Sequence, residues 1–116
     1  MTITVITLLK RREGMSREDF RAYYESNHKL IGEKVLGPYA TRYVRRYIAP
    51  IDGVDEGHDY DVVMEIDFPG EAEVEAFFAD IADPETAERI ATDEAKLFDR
   101  SRIRAFRLER EERSDL

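Results

Sequence analysis

Thr2-Ile3-Thr4-Val5-Ile6-Thr7-Leu8-Leu9-Lys10 opens the chain as a β-branched, apolar run. It reads as a strand buried on both faces rather than one with a wet side. Arg11-Arg12-Glu13-Gly14 then makes a polar turn, and the apolar period changes to that of a helix. Ser16 can cap this helix while Asp19 reaches back to the cap, a capping box with Asp in place of the usual Glu. Phe20, Tyr24, Asn27 and Ile31 recur at helical spacing and define its inward face. His28 follows Tyr24 by one turn and falls at the border of that face. The helix is expected over about residues 16–34, with Gly37-Pro38 breaking the chain after it.

From Ala40 to Ala49 the sequence alternates, with Tyr43, Arg45 and Tyr47 on one face and Val44, Arg46 and Ile48 on the other. Pro50 to Asp59 is a loop containing Gly53 and Gly57. Tyr60, Val62, Met64, Ile66 and Phe68 then alternate with Asp61, Val63, Glu65 and Asp67, the cleanest strand signal in the chain. Pro69-Gly70 ends it. A helix follows over about residues 71–81, turning Val74, Phe77, Phe78 and Ile81 inward, with glutamates near its start favouring the dipole. Asp83 can cap another helix with Pro84 in its first turn, expected to run to about Phe98. The last strand spans about residues 102–108. A single domain is expected over residues 1–109, with a charged C-terminal tail over 110–116.

This order, strand, helix, strand, strand, helical region, strand, is the split βαβ arrangement. It predicts an α+β, ferredoxin-like βαββαβ fold with a four-stranded antiparallel sheet and helices on one face. Helices cover only one sheet face, yet the first strand is apolar on both. In a chain of 116 residues the cover expected for the second face is another copy of itself, so a homodimer follows.

Composition narrows the partners. Charged residues make up 38% of the chain and apolar ones 42%, as in a soluble globular protein. The formal net charge of -8 argues against nucleic acid and anionic membranes, whose phosphates would be repelled. No run approaches the ~20 apolar residues of a membrane span, and the short apolar start lacks the basic leader of a signal peptide. The absence of cysteine removes disulfides, thiolate metal sites and a cysteine nucleophile, and fits a cytoplasmic location.

The residues also carry a family resemblance. Leu8-Leu9-Lys10-Arg11 through Gly14-Met15-Ser16, the Phe20…Tyr23-Tyr24…His28 helix and Arg42-Tyr43-Val44 resemble the EthD family. Tyr60-Asp61 at the third strand and Asp93-Glu94 followed by Phe98-Asp99 are similar to that family's second half. The resemblance spans about residues 3–109. It implies a dimeric α/β barrel, in which two such sheets face each other across a two-fold axis. EthD-like proteins are tied to degradation of ether fuels and aromatic compounds. Relatives of the same fold include muconolactone isomerases, polyketide cyclases, fungal pigment dehydratases, cofactor-free oxygenases and haem-degrading enzymes. Their ligand site is a cavity between the helices and the sheet of each subunit.

His28 lies at the family's histidine position and can serve as acid or base, its ordinary pKa being near neutrality. The alternative is a helix-edge histidine bonding a carbonyl. Tyr24 and Asn27 share the inward face, as a core aromatic or as ligand contacts. Asn27 needs partners there, either in the following loop or in a cavity. Tyr39, Tyr43, Arg45 and Tyr47 supply hydroxyls and one cation. If the Tyr43 face looks into the pocket, Arg45 can hold a carboxylate or an enolate. If it looks at the dimer partner, Arg45 pairs with Glu65 or Asp67, which the need of buried carboxylates for cations favours. Arg102 and Arg104 fit the same account. His58 reads as a solvated loop histidine, no metal spacing is present, and the glycines match no phosphate-binding pattern.

The expected protein is thus a cytoplasmic homodimer acting without a cofactor on a small hydrophobic or aromatic metabolite. His28 would shuttle a proton, and Tyr24, Asn27, Tyr39, Tyr43 and Arg45 would contact the substrate. Isomerisation, cyclisation or dehydration is the reaction class. The alternatives are an oxidoreductase or monooxygenase accessory in ether or aromatic degradation, and a non-catalytic binder of small ligands.

Overall fold

A computed structural model describes all of residues 1–116. Its elements are β1 (Ile3–Leu9), α1 (Arg17–Tyr23), a π-helical turn (Tyr24–His28), α2 (Lys29–Leu36), β2 (Arg42–Tyr47), β3 (Val62–Phe68), α3 (Glu71–Ile81), α4 (Pro84–Glu94) and β4 (Arg104–Arg107). The strands form one antiparallel sheet in the order β2-β3-β1-β4. This is the ferredoxin-like α+β fold. Ser16 and Asp83 cap their helices as the sequence offers, but the reciprocal bond from the Ser16 amide to the Asp19 carboxylate is not formed. Ser16 accepts the Asp19 amide at 3.0 Å, and Asp83 accepts that of Thr86 at 3.3 Å with Pro84 in the first turn.

The strand register assigns the two sheet faces. Val5, Thr7 and Leu9 of β1 point toward the helices with Val62, Ile66 and Phe68 of β3, and all six are buried. Thr4, Ile6 and Leu8 point the other way and are only half-buried. Around them on this open face stand Val63, Val44 and Phe106, together with Arg42, Arg46, Glu65 and Asp67. Phe106 and Leu108 keep 43% and 40% of their surface in contact with solvent, large for such apolar side chains on a sheet. Within one chain, then, the doubly apolar first strand is shielded on one side only.

Under the helices the apolar side chains gather into two clusters rather than one. Val5, Leu36, Ile66, Phe68, Val74 and Phe77 form the first; Leu9, Phe20, Tyr24, Val62, Leu97 and Phe98 form the second. The second is tied to the sheet through the segment after α4. Arg12 donates its amide to the Leu97 carbonyl at 2.7 Å, and Asp99 donates to the Lys10 carbonyl at 2.8 Å. These bonds hold Phe98 edge-on to Phe20, Tyr24 and His28, with ring centroids 5.9, 5.6 and 5.3 Å away.

The first helix departs from the regular period expected of it. Across Tyr24–His28 the Lys29 amide bonds the Tyr24 carbonyl, five residues back. Ser26 donates its hydroxyl to the Ala22 carbonyl at 2.6 Å, a local bond that competes with the α-helical ladder. The extra residue in the turn corrects the sequence expectation. Asn27 faces solvent and donates to Ser26 at 2.9 Å, while His28 is 8% exposed and inside. Asn27 therefore needs no buried partner.

Candidate functional site

A cavity of about 290 Å³ lies between the two apolar clusters, under α2, α3 and α4 and above the helix-side face of the sheet. Its wall is mostly aliphatic and aromatic. The polar exceptions are Thr7, Tyr24, His28, Tyr43 and Glu94. No lysine or arginine lines it.

His28 enters this cavity already oriented. Its Nδ1 is 2.7 Å from Asp93 Oδ2, and Tyr23 donates its hydroxyl to Asp93 Oδ1 at 2.6 Å. Asp93 is 8% exposed and reaches both groups from the last turn of α4. Against an ionised carboxylate, which only accepts, a neutral imidazole carries its proton on Nδ1 and leaves the lone pair on Nε2. No protein group hydrogen-bonds Nε2, and His28 borders the cavity. The bond to Asp93 holds the Tyr23 phenol up to about 12, so it remains a neutral donor.

Tyr24 and Tyr43 supply the other oxygens. Their hydroxyls are 2.9 Å apart, and Tyr24 also sits 3.5 Å from the Met64 sulfur. Burial raises both phenols above the ordinary tyrosine range, so neither ionises near neutrality. A thioether is a weak acceptor, which a ligand oxygen can displace. Gly32 makes this packing possible. A Cβ there would come within 2.8 Å of the Tyr43 hydroxyl and 2.9 Å of its ring.

Glu94, beside Asp93, is the remaining ionisable group in the wall. Burial raises its carboxyl, while His28 and Arg100 pull it back. One residue along a helix is a turn of about 100°, so neighbours Asp93 and Glu94 serve different directions.

Of the six residues expected at the site, His28, Tyr24 and Tyr43 border the cavity; Asn27, Tyr39 and Arg45 do not. Tyr39 packs on Phe77 and donates to Asp80 at 3.2 Å. The pairing of Arg45 with Glu65 or Asp67 is also corrected. Register puts Tyr43, Arg45 and Tyr47 on the helix side, where Arg45 grips Glu25 of the π-turn with two bonds of 2.7 and 2.9 Å. Tyr47 donates to the same carboxylate at 2.7 Å. Glu65 and Asp67 lie on the open face and pair with Arg42 and Arg46. Arg102 bonds the carbonyls of Gly57 and His58, and Arg104 stacks on Phe106, so neither joins the third-strand carboxylates.

Sequence reasoning missed the roles of Tyr23, Asp93 and Glu94. The signal was the inward spacing Ile90, Asp93-Glu94, Leu97, which sets two carboxylates on the apolar stripe of α4 and the turn after it. A second buried carboxylate, Asp61, has a structural explanation. It accepts the Arg11 amide at 2.9 Å and lies 3.5 Å from cationic nitrogens of Lys10, Arg11 and Arg17. No group of side chains has the arrangement of a metal site.

The EthD domain model matches residues 12–101. No curated protein matches the chain. Among solved structures, an ethyl tert-butyl ether D (EthD) family protein from Bacillus halodurans superposes with a TM-score of 0.66 at 15% identity, covering 96% of this chain and 100% of that one. A dimeric protein of ferredoxin-like fold from Bacteroides fragilis gives 0.60 at 14% identity, over 93% and 95% of the two chains. A dimeric ferredoxin-like protein from Thermobifida fusca gives 0.60 at 16%, over 93% and 90%. At such identities the likeness speaks for the fold alone.

Proposed function

The chain belongs to the EthD domain family, and from that premise we propose that it is a homodimeric, cofactor-independent enzyme that moves protons on a small hydrophobic or aromatic metabolite. The observation that carries this reading is the His28–Asp93 pair at the edge of an apolar cavity. A buried carboxylate behind Nδ1 fixes the imidazole tautomer and stabilises the imidazolium that forms when Nε2 takes a proton. A mere ligand carrier has no need of that arrangement.

The steps open to these residues are few. Nε2 accepts a proton from a carbon or hydroxyl of the bound molecule, and charge develops on a substrate oxygen. Tyr24 and Tyr43 are neutral and share one mutual hydrogen bond, which leaves one O–H of the pair to stabilise that oxygen. Isomerisation, cyclisation and dehydration all need this pair of functions. Arg45, neutralised by Glu25, contributes no free positive charge.

The half-buried apolar face of β1, flanked by Val63, Val44 and Phe106, supports the dimer. So does the dimeric state printed for two structural neighbours. Native mass spectrometry of freshly purified protein tests both halves. A dimer mass with a discrete adduct is expected, and the eluted molecule should be converted by the wild type but not by a folded His28→Ala variant. Equal conversion by that variant removes His28 from the mechanism; a monomer removes the second copy.

A further inference from the structure

The His28 chemistry leaves one ionisable group of the cavity idle. Glu94 ends α4, its side chain is 22% exposed, and no hydrogen bond holds its carboxyl. Few charges face it. His28 comes from the π-turn and Asp93 from its own helix, with Asp93 already committed to His28 and Tyr23. Arg100, from the turn after α4, stands 3.6 Å from Oε1 and is 53% exposed, so solvent weakens its pull. The sheet contributes only uncharged side chains to the cavity, among them Thr7, Met64 and Ala105.

One cavity therefore holds a base with a fixed lone pair and a carboxyl without a strong partner. We propose that Glu94 is the second proton-transfer group of this cavity, donating to the carbonyl oxygen of a neutral, apolar ketone while His28 Nε2 removes a proton from the adjacent carbon. The proposal rests on the His28 reading above and deepens it. In the step, the C–H bond breaks and its electron pair becomes the C=C bond of the enol. The carbonyl π pair takes the proton of Glu94. His28 is left as an imidazolium paired with Asp93, and Glu94 as a carboxylate. The reverse transfers restore both groups and return a proton to the same or another carbon, with no oxidant, reductant or cofactor consumed.

The substrate class follows from the same wall. A carboxylate ligand would meet no lysine or arginine, since Arg45 is locked by Glu25, and would face Glu94. Burial also keeps the Glu94 proton at higher pH than an ordinary glutamate would, as a donor requires.

The test is deuterium incorporation into the methyl group of acetophenone in heavy water, followed by proton NMR. Wild-type protein is expected to exceed the buffer rate, and His28→Gln to fall to it. Glu94→Gln should lose about 10²-fold and lack the fall in rate that the wild type shows as Glu94 ionises. Benzoate, of the same shape but anionic, should not inhibit. If Glu94→Gln keeps the wild-type rate and pH profile while His28→Gln is inactive, the Glu94 assignment is overturned and the His28 reading survives. Wild-type exchange no faster than buffer, or His28→Gln as active as wild type, overturns both. Inhibition by benzoate overturns the neutral substrate class. Should Glu94→Gln fail to fold, carbon-13 NMR titration of the wild-type Glu94 carboxyl decides, and a midpoint at or below the ordinary glutamate value refutes the donor role.

Discussion

His28 Nδ1 lies 2.7 Å from Asp93 Oδ2, a bond between residues 65 positions apart. Tyr23, five residues before His28, donates to the other oxygen of the same carboxylate. The π-turn makes this geometry possible, because it rotates His28 inward while α1 still presents Tyr23 to α4. Burying an Asp–His pair costs desolvation on both sides, which hydrophobic residues of similar size would avoid. Its retention at a cavity edge, with both carboxylate oxygens satisfied, is how an imidazole is oriented for proton transfer.

Asp93→Asn tests the orientation directly. The amide can present an N–H to Nδ1, which moves the imidazole proton to Nε2 and blocks its use as a base. Nitrogen-15 NMR should find the Nδ1–H form in the wild type and the Nε2–H form in the variant. Turnover should drop by about 10²- to 10⁴-fold with little change in fold. An unchanged tautomer would separate Asp93 from the function of His28.

Tyr23→Phe removes one donor from a buried carboxylate and should destabilise the protein by about 1.5–3 kcal/mol in thermal or urea unfolding. The pH dependence has a defined sign. The folded-state phenol is raised from 10.0 to about 12. The stabilisation is therefore complete below pH 10 and lost as pH rises through about 12, because the unfolded chain releases its proton first. Wild type and Tyr23→Phe should converge in stability across that window. Parallel curves would show that the bond contributes nothing.

The element order, the sheet topology and the caps were legible because they depend on local signals: period, turn residues and Ser16 or Asp83 at a helix start. The faces of β2 were less so. Alternation placed Tyr43, Arg45 and Tyr47 together, but which side of the sheet they share depends on pairing with Val62, Met64 and Ile66. Asn27 and His28 could not be ordered from period alone, since the π-turn at Tyr24–His28 inserts an extra residue into the helical period. Asp93 stood out in the sequence only as part of the Asp93-Glu94 and Phe98-Asp99 resemblance, with no partner assigned. Its partners come from 65 and 70 residues away, a distance that no window along the chain spans.

Gly32→Ala should dislodge Tyr43. The new Cβ would sit 2.8 Å from its hydroxyl, and the ring is held by neighbours, with Arg45 stacked 4.7 Å from its centroid. Alanine gains about 1 kcal/mol in helix propensity, but overpacking costs about 1–3 kcal/mol and the Tyr24 bond is lost. Net destabilisation is expected, with altered Tyr24 and Tyr43 ring signals in NMR. A more stable variant with unchanged tyrosine signals would mean that the ring shifts at no cost.

Glu25 couples the π-turn to β2. Its two bonds from Arg45, and then that of Tyr47, hold the carboxyl below the ordinary glutamate value of 4.5. The stabilisation is thus present above pH 4.5 and lost as pH falls through the lower folded-state value. Glu25→Gln should be less stable than wild type at neutral pH, and the gap should close on acidification. A gap independent of pH would assign the loss to shape rather than charge.

Ile6 is the residue on which the dimer can be tested without disturbing the cavity. It lies at the centre of the open face, opposite Glu65 on one side and Phe106 on the other. Ile6→Lys puts an ammonium beside Glu65, where a monomer tolerates it at the surface. In a dimer that buries this face, the same change introduces two cations near the two-fold axis, at several kcal/mol each if desolvated. The variant should therefore remain folded, with wild-type circular dichroism, but run as a monomer in light scattering. His28, Asp93 and Glu94 stand on the opposite side of the sheet, so any loss of activity in that monomer would report a contribution of the partner copy to the cavity rather than damage to the dyad. An Ile6→Lys variant that stays dimeric would place the subunit contact elsewhere on the surface.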